Sequence, residues 1–305
     1  MSLSSERWLF WGPTLIWAST WHVILYQLNS GVPVLNSVAW RFALAALLLA
    51  ALAWRQGQRL SLPGRAHALA LLTGVVQYSG NYWSVYEAER HIPSGLVAVL
   101  FCLMVFGNAL SGRWLFGQRV SRGFLLAAAG GVAGVVLIFW PEIAATGARP
   151  TAGLGLALGL AAVLAACVGN VLTLTLTRPV SAGGRLPGQG LPLVPVLAWS
   201  MGYGALFMGV LSLGSGQGLH FAWTWSYGLS LLYLAVLGSV AAFVLYFKLA
   251  QRQGPARAAL TGVIIPVIAL AVSATLEGWR PSLLSLAGMA LCVGSIYLAQ
   301  RQPRH

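Results

Sequence analysis

The chain contains no aspartate, and its five glutamates are Glu6, Glu87, Glu89, Glu142 and Glu277, set against 18 arginines and lysines in 305 residues. So few carboxylates remove most routes to general acid–base or metal chemistry. The cysteines, Cys102, Cys167 and Cys292, all fall in apolar runs. They have neither a disulfide framework nor metal-ligand spacing and read as small buried hydrophobes. No G-x-S-x-G or H-E-x-x-H occurs. An intramembrane enzyme would need such a nucleophile or metal centre at membrane depth. The glycine-rich runs "GLGLALG" (153–159) and "GGVAG" (130–134) lack the spacing of a dinucleotide fingerprint. Their small-xxx-small pairs, Gly155/Gly159 and Gly130/Gly134, suit close helix packing instead. Charged residues make up only 8% of the chain, too few for the surface of a soluble domain.

What the chain does have is apolar length. It is 58% hydrophobic, with a mean hydropathy of +0.78. Runs of about 20 residues, enough to cross the ~30 Å hydrocarbon core, recur throughout. The expected fold is an all-α polytopic membrane protein with ten transmembrane helices. Their approximate limits are 8–27, 35–54, 66–86, 92–112, 121–140, 153–177, 194–213, 227–247, 255–275 and 282–300. The first run continues through "HVILYQL", beyond a signal peptide's apolar region, so it is read as an uncleaved helix.

Basic residues set the expected orientation. With the N-terminus inside, 14 of the 18 fall on the cytoplasmic side; Arg90, Arg149 and Arg280 lie opposite, and Arg41 lies within the second span. That bias places both termini in the cytoplasm. The formal net charge of +13 is then spread over loops facing an anionic leaflet and calls for no nucleic-acid partner.

Five spans precede the polar connection near 141–152 and five follow it. An odd number forces the second half to enter the membrane inverted, giving five-helix repeats at 1–145 and 146–305. Segments 94–121 and 255–282 share a small-residue start, an apolar helix, a polar turn with Gln118 or Glu277, and a glycine-rich helix.

The motifs "IWASTW" (16–21), "AWRFALAALLL" (39–49), "GNY" (80–82), "SGLVAVLF" (94–101), "FWPE" (139–142), "GN" (169–170), "LYLAVLGSVAAFVLY" (232–246) and "GPARAALTGVIIPVIAL" (254–270) occur in order. Together they resemble the drug/metabolite transporter superfamily, specifically the EamA-type exporters, and within it the YddG-type amino-acid exporters. The resemblance implies two inverted five-helix repeats around a central cavity, alternating access without nucleotide hydrolysis, and a bacterial inner-membrane location. The family's proline in the fourth span is replaced by the stretch Met104 to Phe106, although Pro266 stands in the ninth, and Gln118 stands where glutamate is usual.

Residues that could meet a solute are polar or aromatic ones at membrane depth. Tyr78, Asn81, Tyr82 and Tyr86 fall on one α-helical face at i, i+3, i+4 and i+8. Trp17 and Thr20 mark the first span, Trp199 and Tyr203 the seventh, and Ser239 and Tyr246 the eighth, while Asn108 and Asn170 add amides. These side chains either line a cavity or make helix-packing hydrogen bonds. Tyr86 and Glu87 are expected at the outer interface, with aromatic anchors such as Trp8, Trp11, Trp54 and Trp223. Arg41 is expected to snorkel from the outer end of its span in a structural role, and His22 is a possible proton-sensitive group. No acidic relay is expected inside the membrane.

The expected function is secondary transport: export of a small organic metabolite, foremost neutral or aromatic amino acids, by alternating access. The alternatives are multidrug, nucleoside or other metabolite export, and more remotely a channel or intramembrane enzyme. The expected partners are a small-molecule substrate and the lipid bilayer, without cofactor or metal; a monomer is expected, with an oligomer left open.

Overall fold

The computed structural model describes residues 3–146, 150–179, 185–186, 188–276 and 282–301, and every described element is helical. Arg149, Glu277, Arg280 and Arg304 fall outside these residues, as do the side chains of Glu6 and Glu142.

Leu/Ala-rich runs with high helix propensity form the long rods. The helices of the first half are α1 (Leu3–Leu28), α2 (Val34–Arg55), α3 (Gly64–Thr73), α4 (Asn81–Glu89), α5 (Ser94–Phe101), α6 (Met104–Trp114), α7 (Arg122–Ile138) and α8 (Trp140–Thr146). Those of the second are α9 (Ala152–Thr177), α10 (Leu193–Gly214), α11 (Trp225–Ala235), α12 (Ala242–Gln253), α13 (Pro255–Ala258), α14 (Leu260–Leu276) and α15 (Leu283–Arg301). Proline sets many of the starts. Pro33, Pro63, Pro93 and Pro192 cap α2, α3, α5 and α10 in extended conformation, and Pro255 opens α13 after Gly254, whose φ is +89°. Proline suits these positions because it supplies no amide hydrogen and the first helical turn needs none. Among the described residues, five helical stretches are long and apolar enough to cross a membrane: Val34–Arg55, Ser94–Trp114, Ala152–Thr177, Leu193–Gly214 and Trp225–Gln253.

Two rods are joined through wide π turns. Gly74–Gly80 links α3 to α4, where the Asn81 amide donates to the Val76 carbonyl five residues back, and Val236–Ala241 links α11 to α12. Each extra residue per turn shifts the helical register and frees backbone groups for other partners. A third irregularity breaks α5 from α6 at Cys102–Leu103 without any proline. There the amides of Cys102 and Leu103 donate to the Val99 and Leu100 carbonyls, a tighter three-residue spacing.

Glycine brings backbones into contact at two crossings. α2 and the first π turn both pack on α10, and α7 packs along α15. A Cβ on Gly74 would lie 2.5 Å from the Ser200 carbonyl, and one on Gly134 would lie 2.7 Å from the Gly288 carbonyl. Both small-residue pairs read from the sequence sit at contacts: Gly155 against His91 and Ile92, Gly159 against Leu100, Gly130 against Ser295 and Gly134 against Gly288. Cys102 and Cys292 are buried and Cys167 half-buried, all as free thiols.

Candidate functional site

The rods converge on a central cavity of about 90 Å³. α1 contributes Trp17, Thr20, Trp21 and Ile24, and α2 contributes Arg41. Gln77 comes from the first π turn, followed by Asn81, Tyr82 and Val85 from α4. Phe101 and Met104 border the break between α5 and α6, and α9 adds Ala166 and Asn170. Phe243 and Tyr246 enter from α12, with Thr261, Gly262 and Ile265 from α14.

The second π turn organises one wall. Its freed carbonyls find side-chain donors, as buried backbone groups must in an apolar medium. Ser239 Oγ donates to the Leu234 carbonyl at 2.9 Å, and Trp17 Nε1 donates to the Gly238 carbonyl at 3.1 Å. Ser239 also accepts from Arg41 Nε at 3.0 Å. Gly238 permits this approach, because a Cβ there would stand 3.0 Å from Thr20 Cγ2 and 3.2 Å from an Arg41 terminal nitrogen. The guanidinium lies 4.6 Å from the Tyr82 ring centre and reaches the Tyr86 hydroxyl at 3.5 Å. Tyr86 in turn donates to Gln27 Oε1 at 2.8 Å.

A second polar group holds Tyr246, whose ring packs on Trp17. The Tyr246 hydroxyl accepts from Asn108 Nδ2 at 3.0 Å and Asn170 Nδ2 at 3.1 Å, and Asn170 also approaches Asn108 Oδ1 at 3.4 Å. Tyr246→Phe removes the shared acceptor and leaves the buried Asn108 Nδ2 without its partner, while Asn170 keeps its 3.4 Å contact to Asn108 Oδ1, at a cost of about 1–3 kcal/mol. Denaturant unfolding in detergent should register that loss.

Of the residues singled out from sequence, Trp17, Thr20, Asn81, Tyr82, Asn170 and Tyr246 border this cavity. Asn108 and Ser239 stand behind it, orienting Tyr246 and Arg41. Trp199 and Tyr203 are elsewhere. Trp199 lines an apolar groove between α2 and α10 and donates to the Leu60 carbonyl at 2.7 Å, while Tyr203 bonds His67 Nδ1 at 2.9 Å. Their four-residue spacing is that of a shared face, but α10 turns that face toward α3 and the loop before it. His22 is exposed and meets Tyr26 edge-on, away from the cavity.

Tyr78 is displaced by the π turn. The wide turn breaks the α-helical alignment that would carry it onto the face of Asn81 and Tyr82, and Gln77 borders the cavity instead. Tyr78 is fully buried between Phe42 and Phe243, with no hydrogen-bond partner for its hydroxyl among the described residues. Tyr78→Phe therefore discards an unsatisfied group. It should leave both melting temperature and transport kinetics at wild-type values or slightly better.

Two expectations for the outer end of the bundle are corrected. Tyr86 is not an interfacial anchor, since it is fully buried in the Arg41–Tyr86–Gln27 chain. Arg41 does not snorkel to the surface; it is 1% exposed and faces the cavity. Burial also reaches Glu89, whose two carboxylate oxygens are enclosed without partners among the described residues. Gln77, Phe101, Met104, Thr261 and Gly262 carried no warning in isolation. The likeness of segments 94–121 and 255–282 was the available signal, because Cys102 Sγ meets the Gly262 carbonyl at 3.5 Å where they cross.

Helical rods of membrane-spanning length and apolarity thus meet around an aromatic cavity with a few polar side chains. The chain belongs to the EamA-like transporter family, whose model matches residues 7–140 and 158–300. It is 26% identical over 285 residues to the "Uncharacterized inner membrane transporter YedA" of Escherichia coli (strain K12), covering 93% of this chain and 87% of that one. It is also 26% identical over 305 residues to the "Probable terminal-alkyne amino-acid exporter" of Streptantibioticus cattleyicolor, covering 99% and 95%. A solved crystal structure shares the fold with a TM-score of 0.73 at 18% identity, covering 98% of each chain. The protein is thus an integral, multi-pass inner-membrane transporter of the EamA type.

Proposed function

We propose that the protein exports small neutral or aromatic amino acids by alternating access. Ten spanning helices form inverted repeats at 1–145 and 146–305, with both termini cytoplasmic. The observation that carries the substrate class is the cavity's chemistry: aromatic walls, side-chain amides and one buried cation, Arg41. An apolar pocket with a few placed polar groups suits a small zwitterion. A fixed positive charge in the cavity opposes the cationic drugs that a multidrug exporter would handle. The name of the S. cattleyicolor relative, an amino-acid exporter, agrees with this reading.

Paired irregularities support the inverted repeat. In each half the third rod carries a π turn, after 10 residues of α3 and after 11 residues of α11. Such turns are where one bundle could flex against the other while the site stays between them.

Purified protein in liposomes loaded with labelled amino acids tests the reading. Saturable release of one or more neutral or aromatic members is expected. Release of nucleosides or cationic dyes instead, with every amino acid retained, would replace the substrate class.

A further inference from the structure

We propose that Arg41 anchors a substrate carboxylate, with Trp21 as a second donor and Asn81 as the acceptor for the substrate ammonium group. The site then recognises the α-amino-acid head, while the aromatic walls accept the side chain. This rests on the amino-acid export reading above and assigns specificity-determining residues to it.

Arg41 is 1% exposed, yet no carboxylate lies within 4 Å of it among the described residues. Glu89 is within electrostatic range but closes no ion pair with it. A buried guanidinium without a counter-ion is costly, and an anion arriving beside it is correspondingly favoured. The protein uses the guanidinium only in part. Nε is held by Ser239, one terminal nitrogen reaches Tyr86 at the long distance of 3.5 Å, and the other has no acceptor among the described residues. Stacking over Tyr82 fixes the plane of the group without consuming a hydrogen.

Two residues bordering the cavity also carry an unsatisfied polar atom. Trp21 Nε1 is an enclosed donor, and Asn81 Oδ1 an enclosed acceptor, each without a partner among the described residues. Asn81 is 4% exposed, so bulk water does not compensate its oxygen. Buried polar atoms left open cost free energy and are expected to have a partner in some state of the molecule. Indole N–H and guanidinium are donors only, which suits a carboxylate; a neutral amide oxygen suits an ammonium hydrogen. A zwitterion carries both kinds of partner, an anion for the donors and an ammonium for the acceptor. An amine or a carboxylic acid satisfies only part of the set.

The test is competition against labelled L-phenylalanine and L-leucine exchange in proteoliposomes containing the full chain. The competitors are the two amino acids, their amides, and 3-phenylpropionate. Each amino acid should compete about tenfold or more better than its amide, the value of one lost charge-assisted contact. Arg41→Gln should erase that preference and Arg41→Lys retain part of it. Asn81→Leu should weaken L-phenylalanine but leave 3-phenylpropionate, which has no ammonium group, unchanged. Equal competition by acid and amide in the wild type overturns the anchor while leaving export intact. So does a preference that survives Arg41→Gln, or an Asn81→Leu effect equal for both compounds. If Arg41→Gln fails to fold, the wild-type acid and amide comparison and the Asn81→Leu pair decide. Folded protein that exchanges no neutral or aromatic amino acid removes the export reading itself, and the anchor with it.

Discussion

Gly262→Phe should reduce substrate exchange to the level of protein-free liposomes while the protein still folds. Gly262 borders the cavity on α14, one residue after Thr261. A Cβ added there meets only the Phe101 carbonyl, at an ordinary 3.5 Å, so the first new carbon is accommodated. The ring beyond it must share the 90 Å³ that a substrate would occupy. Overpacking a closed core costs about 1–3 kcal/mol, but open space absorbs much of that cost. Gly262→Ala is the matched control and should transport near the wild-type rate. Melting temperature and exchange rate, measured on the same preparations, separate blockade from misfolding. Normal exchange by a folded Gly262→Phe variant would mean that the solute passes elsewhere.

Gly134→Leu should have the opposite signature: almost no folded protein to assay. A Cβ on Gly134 would stand 2.7 Å from the Gly288 carbonyl and 2.9 Å from the Cys292 amide nitrogen. Backbone cannot turn aside as a flexible side chain can, so α7 and α15 must separate along the crossing. Within a bilayer, van der Waals contact between close helices is a main source of association, and it is lost when they part. Gly130→Ala should be milder, since its new Cβ meets the Ser295 side chain, which can rotate. Gly153→Leu, with nothing within 4 Å of its Cβ, should be harmless. The yield of monodisperse protein by size-exclusion chromatography ranks the series. Equal yields for Gly134→Leu and Gly153→Leu would contradict the packing.

The rods were legible because hydropathy and proline are local signals. The expected limits 35–54, 153–177 and 194–213 differ by one residue at each end, or at one end alone, from Val34–Arg55, Ala152–Thr177 and Leu193–Gly214. Part of the cavity was legible for a related reason. Trp17, Asn81, Tyr82, Asn170 and Tyr246 are groups that lipid does not tolerate unpaired or that an interfacial belt does not explain.

What could not be read was long-range. Arg41 takes its orientation from Ser239, 198 residues away, through a π turn that no hydropathy pattern announces. The same kind of turn withdraws Tyr78 and admits Gln77. Trp199 and Tyr203 have the composition and spacing of site residues, but tertiary packing assigns their helix face to His67 and Leu60. Glu89 lies three residues beyond the expected end of the third span at 86, yet its two carboxylate oxygens are buried.

The central claim is that one central site, bordered by Arg41 and Gly262, is exposed alternately to the two sides of the membrane. Counterflow measures it most directly. Proteoliposomes loaded with unlabelled L-phenylalanine or L-leucine should accumulate the labelled form transiently above equilibrium. The overshoot should vanish in Gly262→Phe. Flux that is indifferent to substrate on the far side, or an overshoot that persists when the cavity is filled, would contradict the account.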